Sequence, residues 1–217
     1  MTQTLKIFTW LVTTALAAFL FYTTTEYLSF RSDVHFLLAK TDVVFDIGWR
    51  SAFYIHITSS MVILIIAPFQ FVKKLRNRYM KWHKRIGKIY AYGIVLLAGP
   101  SGLYMAFYAE GGLWSTIAFI IMSVLWISTT ILAVTTVRKG DITGHQRWMI
   151  RSVALTFAAV TLRLLVPLFS AGWGLEEGFV IVSTAWLSWL INLAIAETII
   201  LFTLPNKLKK DVRLQTN

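Results

Sequence analysis

Stretches of about 20 mostly apolar residues, the length a helix needs to cross the hydrocarbon core of a membrane, recur along this chain. They cover residues 8–29, 50–72, 89–109, 114–137, 152–173 and 178–203. Of the 217 residues, 57% are hydrophobic and only 14% are charged, whereas charged residues make up about a quarter of an ordinary soluble domain. The sequence therefore predicts an all-α fold: a polytopic membrane bundle of six transmembrane helices that forms a single domain, 1–217.

Seventeen of the 21 Lys and Arg residues fall at the chain ends, between the second and third spans, or between the fourth and fifth. Basic residues beside membrane spans accumulate on the cytoplasmic side. The pattern predicts both termini inside (N-in, C-in) in a multi-pass protein of the cell's inner membrane. Residues 30–49 form the one sizeable outer loop, with room for a short helix or strand at the interface. Because the +11 net charge flanks spans, the predicted partner is the lipid bilayer and not nucleic acid.

Arg163 and Glu197 are the charged residues well inside predicted spans. A charge at the bilayer centre costs about 2.5–3.5 kcal/mol on insertion scales, so such a residue is usually paired or functional. Arg163 shares a helix face with Ser152 and Thr156, which are small and polar, so we expect it to face other helices. Two interpretations are open. Arg163 forms an ion pair with Glu197, or it clamps an anionic or carbonyl group such as a haem propionate, a quinone or a carboxylate.

His56 is the only histidine well inside a predicted span, and its helix face continues through Ser60 and Gln70. The chain has no cysteine, so a bound metal would need His, Met or oxygen ligands. One interpretation of His56 is a hydrogen bond across helices. The other is a haem or metal ligand or a proton relay. His35 of the outer loop either approaches His56 or is an exposed loop histidine.

Two further histidines lie in Trp/His/Arg clusters where the third and fifth spans begin: Trp82-His83-Lys84-Arg85 and His145-Gln146-Arg147-Trp148. Interfacial anchoring by Trp, Lys and Arg explains both clusters without a site. The alternative is that His83 and His145 ligate haem iron or a metal, with Arg151 as a further anion clamp. Tyr90 and Tyr104 continue the helix face of His83 and are predicted to line a cavity there.

Several of these motifs together resemble a known family. The segments are Tyr54-Ile55-His56-Ile57 through Phe71, His83 through Tyr90, Gly99 through Tyr104, and Gly140-Asp141 with His145 through Arg151 and on to Leu162-Arg163-Leu164. They resemble the bacterial family of predicted membrane proteins catalogued as domain of unknown function 2306, over about residues 50–170. That family has no assigned activity. The resemblance implies that the following residues belong to one pattern, which favours a shared site: His56, His83, His145, Arg147, Trp148, Arg151 and Arg163.

The leading functional hypothesis is a transmembrane redox component that binds b-type haem and, as a second ligand, quinone. Its candidate iron ligands are His56, His83 and His145, and its candidate propionate clamps are Arg151 and Arg163. The alternative is a non-redox transporter or sensor for a small molecule or lipid, with the ligand site around Arg163 and lined by Gln70, Tyr90 and Tyr104. A haem-free structural or assembly subunit is a third hypothesis. Phosphate-loop, dinucleotide-binding, zinc-protease and serine-nucleophile motifs are absent from the chain.

Overall fold

The computed structural model describes residues 14–16 and 18–204, and within them helix dominates and no strand occurs. Five helices in this part of the chain are long and apolar enough to cross a membrane. Residues 14–16 and 18–25 are helical and precede them, and we name this segment α1. The five are α2 (Ile47–Phe71), α3 (Met80–Ala106), α4 (Gly112–Arg138), α5 (Ile142–Gly172) and α6 (Glu177–Thr203).

The all-α fold is confirmed, and so is helical structure in five of the six predicted spans. The first predicted span, 8–29, lies partly outside the described residues, so the count of six and the N-in, C-in orientation stay predictions. The described part, α1, runs into a 3-10 turn at Glu26–Ser29. Leu20 of α1 packs against Leu64 of α2 and Val160 of α5, and this contact seats α1 on the bundle.

The helices that carry the third and fifth predicted spans begin before the apolar stretches, which start at residues 89 and 152. Helix α3 begins at Met80 and α5 at Ile142. Hydropathy marks the length that lies in hydrocarbon, whereas both helices extend beyond it through basic residues suited to the headgroup layer. His83 and His145 therefore lie inside helices, near their first turns.

Proline coincides with irregular backbone in three of these helices. Helix α3 has a π-helical segment at Gly93–Ala98, shortly before Pro100, and α5 has another at Leu168–Gly172, directly after Pro167. Helix α2 ends in a 3-10 turn that starts at Pro68. Proline cannot donate to the helix ladder, and π turns rotate the faces on either side of them, so they are frequent at functional sites.

The outer loop is folded and attached to the bundle. It contains the 3-10 helix His35–Lys40, which agrees with the short element allowed for there. Lys40 is only 5% exposed. Its ammonium group donates to the carbonyl of Tyr108 and, at 2.7 Å, to Glu110 Oε1. This contact fastens the loop to the α3–α4 connection.

Helix α5 packs extensively on both α4 and α6, and α4 and α6 contact each other. The core at their junction is apolar and includes Ala98, Trp126, Leu155, Ala158 and Trp189. We call the end of the bundle with the α2–α3 and α4–α5 connections the basic end, because Lys and Arg crowd there. The opposite end, which holds Glu110, Glu176 and Glu177, is the acidic end.

Candidate functional site

His56 of α2 is held against α3 by a hydrogen bond to the backbone. Its Nδ1 lies 2.8 Å from the carbonyl oxygen of Ala98. Since a carbonyl only accepts, Nδ1 carries the proton, and Nε2 keeps a lone pair that can accept a hydrogen bond or bind a metal. The ring fits because Gly102 has no side chain: a Cβ on Gly102 would lie 2.8 Å from His56 Cε1. The glycine thus admits the imidazole to the α3 backbone.

Arg163 of α5 lies close enough to His56 and to Tyr27 to interact electrostatically with both. Its guanidinium donates a hydrogen bond of 3.3 Å to the carbonyl of Ala159 on its own helix. Within residues 14–16 and 18–204 no carboxylate forms an ion pair with it. Arg163 is therefore a half-buried cation for which the described chain provides no counter-charge.

The ion pair between Arg163 and Glu197 that the sequence allowed is wrong, because Glu197 pairs with Arg151. The Arg151 guanidinium donates from Nε and Nη2 to the two carboxylate oxygens, at 2.5 and 2.7 Å. Its Cζ also lies 4.7 Å from the centre of the Trp148 ring. Arg151 thus joins α5 to α6 and has its charge neutralised, so it is poorly suited to clamp another anion.

His83 and His145 lie near each other at the basic end. They lie close enough to interact electrostatically, and the charges of Arg76 and Lys84 also act on His83. His145 is oriented by a hydrogen bond of 2.8 Å from Nδ1 to the carbonyl of Ala133 on α4. Because a carbonyl only accepts, Nδ1 of His145 carries the proton, and its Nε2 keeps a lone pair that can bind a metal.

The start of α5 explains why His145 occupies this place. Gly140 adopts a positive φ of 79° and turns the chain after α4. Asp141 then caps the helix, with Oδ1 accepting a 2.8 Å hydrogen bond from the Gly144 amide. The imidazole that follows is directed back onto α4.

Gln70 lies near the same end with part of its amide unsatisfied. Gln70 is buried, with only 7% of its surface exposed. A Cβ on Gly87 would lie 3.1 Å from Gln70 Oε1, so the amide rests on α3 one turn beyond His83. Within the described chain, Gln70 Nε2 and His83 Nδ1 are buried atoms without a hydrogen-bond partner. Two orphaned polar groups at one level favour a site there over simple anchoring.

Tyr90 is placed in a closed hydrogen-bond network at mid-depth and is 1% exposed. Its hydroxyl lies 2.8 Å from Ser152 Oγ and 2.9 Å from Thr156 Oγ1. Trp126 Nε1 donates to Thr156 at 3.0 Å, and Thr130 lies 2.7 Å from Ser152. The network locks α3, α4 and α5 together. Ser152 and Thr156 stood out in the sequence as a polar stripe, whereas nothing distinguished Trp126, or Thr130 among the several hydroxyl residues of α4.

Tyr104 lies apart from all the other candidates, at the acidic end. It is 39% exposed, and its hydroxyl lies 3.4 Å from that of Tyr108. The candidate residues therefore separate by depth. Arg163 and His56 meet in the acidic half, Tyr90 closes the middle, and His83, His145 and Gln70 lie at the basic end. Of His35 only the backbone is described.

Among the described residues, no three His, Asp or Glu side chains gather closely enough to hold a metal ion by protein ligands alone. A metal that brings its own equatorial ligands needs fewer protein groups. Haem iron, with four porphyrin nitrogens, requires one or two axial side chains. The two histidines at the basic end are side chains of the type that can serve in this way.

These helices and buried polar positions define a polytopic helical membrane protein. The chain belongs to the family described as Predicted membrane protein (DUF2306), whose model matches residues 53–200. The matched range contains all the candidate residues placed by depth above: His56, Gln70, His83, Tyr90, His145 and Arg163. Tyr27 lies outside it. No curated protein matches the chain, and no solved structure matches it.

Proposed function

We propose that this protein is a membrane redox component that binds one b-type haem at the basic end, with His83 and His145 as axial ligands. The observation that supports the proposal most directly is that His83 of α3 and His145 of α5 lie close enough for one to act electrostatically on the other. The two residues are 62 positions apart in the sequence, and both lie near the first turn of their helix. Anchoring at the headgroup layer would not require them to meet.

The chemistry of the donor set fits haem. His145 has its Nδ1 proton committed to Ala133, which leaves Nε2 in the state that binds iron. His83 has a buried ring nitrogen without a partner among the described residues. Arg76 and Lys84 give the surroundings of His83 a positive potential, which suits the two propionates.

The haem would supply reversible one-electron transfer. The protein's own residues hold and orient it. The Ala133 carbonyl fixes the plane and tautomer of His145, the Asp141 cap fixes the helix start, and Gln70 offers an amide hydrogen bond at the same level. The Tyr90 network keeps α3 and α5 in register, so that the two histidines stay opposed.

Absorption spectroscopy of the detergent-purified protein titrated with haem b tests the proposal. We expect a Soret band at one haem per chain and sharp visible bands on reduction, as two nitrogen ligands produce. His83→Ala and His145→Ala should each weaken haem binding and change these bands, while His56→Ala, matched in residue type, should leave them unchanged. Size-exclusion profiles of all variants control for folding.

A protein that binds no haem at stoichiometric levels contradicts the proposal. Loss of the bands in His56→Ala alone contradicts the ligand pair.

The second candidate function is a non-redox transporter or sensor with its ligand at Arg163. It is favoured if no haem binds, because the guanidinium of Arg163 has no carboxylate partner among the described residues. Its signature would be loss of ligand flux or response in Arg163→Ala without any chromophore.

We also propose that the protein spans the cell's inner membrane six times. The basic end then lies on the cytoplasmic side. The concentration of Lys and Arg in the α2–α3 and α4–α5 connections supports this orientation. Fusion of reporter enzymes that are active on one side of the membrane tests it. Fusions after Lys139 and after the last residue should report the cytoplasm, and a fusion within residues 107–111 should report the opposite side.

A further inference from the structure

Tyr27, His56, Gly102 and Arg163 lie near one another in the acidic half of the bundle, on four separate elements. The Tyr27 ring packs 5.4 Å from that of Phe53 on α2, Val160 of α5 packs against Leu64 of α2, and Arg163 lies close enough to Tyr27 and His56 to interact electrostatically with both. Tyr27 belongs to the 3-10 turn after α1, His56 to α2, Gly102 to α3 and Arg163 to α5. The cluster lies about 20 Å from the histidine pair, because 15 residues of α3 at 1.5 Å each separate His83 from Ala98. It is therefore a second place in the molecule, distinct from the proposed haem level.

Within the described chain, the cluster has one donor, the Arg163 guanidinium, and one acceptor, His56 Nε2, that lack a strong partner. Arg163 makes a single 3.3 Å hydrogen bond to its own helix, and no carboxylate of the described residues neutralises it. His56 donates its only proton to the Ala98 carbonyl, so Nε2 accepts and cannot donate. A matching ligand must offer an oxygen to Arg163 and a hydroxyl hydrogen to His56.

That pairing distinguishes between ligand classes. A fatty-acid carboxylate satisfies the guanidinium but has no hydrogen for the imidazole. A ring that carries a hydroxyl and a second oxygen satisfies both. The surface next to the cluster is apolar and open to lipid, since Leu164 is 46% and Val166 39% exposed. A ligand that enters here arrives from the bilayer and needs an apolar tail.

We infer that Arg163 and His56 form a binding site for a quinol-type ligand, a hydroxylated ring with an apolar tail, in the acidic half of the membrane. The ring hydroxyl donates to His56 Nε2, and Arg163 donates to a ring oxygen. Gly102 leaves the imidazole the space it needs to present Nε2. The inference rests on the proposed redox function for its role, but occupancy of the site is measured without haem.

The experiment uses the full chain in lipid nanodiscs and 2-heptyl-4-hydroxyquinoline N-oxide, a fluorescent quinol analogue that has a hydroxyl, an oxide oxygen and an apolar tail. Fluorescence quenching reports binding. We expect the wild-type protein to bind it, and Arg163→Gln and His56→Phe each to weaken binding by about tenfold or more, as loss of a hydrogen bond to a charged or buried group does. Arg163→Lys should weaken binding less, because it keeps the charge.

Arg50→Gln is the matched control. Arg50 also lies in a membrane helix of the acidic half, but it donates to the Phe30 carbonyl, and its replacement should leave quenching unchanged. Decyl-ubiquinol should displace the probe, and oleate should not. The inference is overturned if wild-type protein does not bind the probe, if Arg163→Gln binds it as tightly as wild type, or if oleate displaces it and decyl-ubiquinol does not.

His83→Ala separates the two proposals. If it loses haem and keeps probe binding, both proposals hold. If the wild-type protein binds the probe but never haem, the quinol site stands and the haem proposal fails. If haem binds normally and the probe does not, the quinol site alone is overturned.

Discussion

Arg151 of α5 binds both carboxylate oxygens of Glu197 on α6, at 2.5 and 2.7 Å, whereas Arg163 of the same helix has no carboxylate partner among the described residues. The pair lies on the basic side of the Tyr90 network, and Arg163 lies on the other side of it. One arginine therefore has a structural role between helices. The other donates only to its own helix within the described residues, and that difference supports the second proposed site at Arg163.

Arg151→Met should destabilise the bundle, because it leaves the Glu197 carboxylate without its two donors next to apolar helices. Hydrogen bonds to charged groups contribute roughly 1.5–3 kcal/mol each, and partial exposure of Glu197 reduces the effect. We expect a lower melting temperature in detergent. The double variant Arg151→Met with Glu197→Leu should recover part of the loss, since no charge then remains unpaired. A single variant as stable as wild type would show that the pair contributes nothing.

Tyr90→Phe should also lower stability, because it removes the hydroxyl that joins Ser152 to Thr156 in a buried site. An unsatisfied buried hydroxyl costs about 1–3 kcal/mol. Thermal unfolding followed by circular dichroism measures the change. Tyr104→Phe is the matched control and should leave the melting temperature unchanged, since Tyr104 is exposed. Equal effects of the two substitutions would show that the network does not lock the helices.

The polar residues of interest could be found from the sequence, because an apolar span makes a lone His or Arg conspicuous. Their partners were harder to predict. Spacing gives the depth of a residue in the membrane but not the direction in which its helix faces. The π segment in α3 and the break in α5 at Phe157 rotate the faces on either side. The meeting of His56 with Arg163 therefore depended on backbone irregularities that periodicity does not reveal.

The depths of Arg151, Arg163 and Glu197 in the bundle are enough to show that Glu197 pairs with Arg151 and not with Arg163. Glu197 is six residues before the end of α6 at Thr203, and Arg151 is nine residues after the start of α5 at Ile142. Both lie toward the basic end, whereas Arg163 lies more than three turns further along α5. The long arginine side chain suggested a reach across that distance, but a bidentate geometry requires partners at similar depth.

Asp141→Ala should weaken haem binding without touching either proposed ligand. Loss of an N-cap costs about 0.5–2 kcal/mol and frays the first turn, which holds His145. We expect a higher dissociation constant for haem in a spectroscopic titration, with unchanged band positions, because the ligands themselves remain. Asp42→Ala, in the exposed outer loop, should bind haem as the wild-type protein does. Shifted band positions in Asp141→Ala would contradict a purely positioning role.

Gly102→Ala tests whether the imidazole of His56 is held where the second site needs it. A Cβ at this position would lie 2.8 Å from His56 Cε1 and 2.9 Å from Nδ1, so the ring must move away from the Ala98 carbonyl. The displaced Nδ1 then loses its acceptor, and Nε2 no longer has a defined direction. We expect about a tenfold loss of quinoline N-oxide binding, as removal of one buried hydrogen bond produces, with haem spectra unchanged. Gly178→Ala is the control, because a Cβ on Gly178 would meet nothing closer than 3.9 Å. Unaltered probe binding in Gly102→Ala would show that His56 does not need its contact with α3 to accept the ligand.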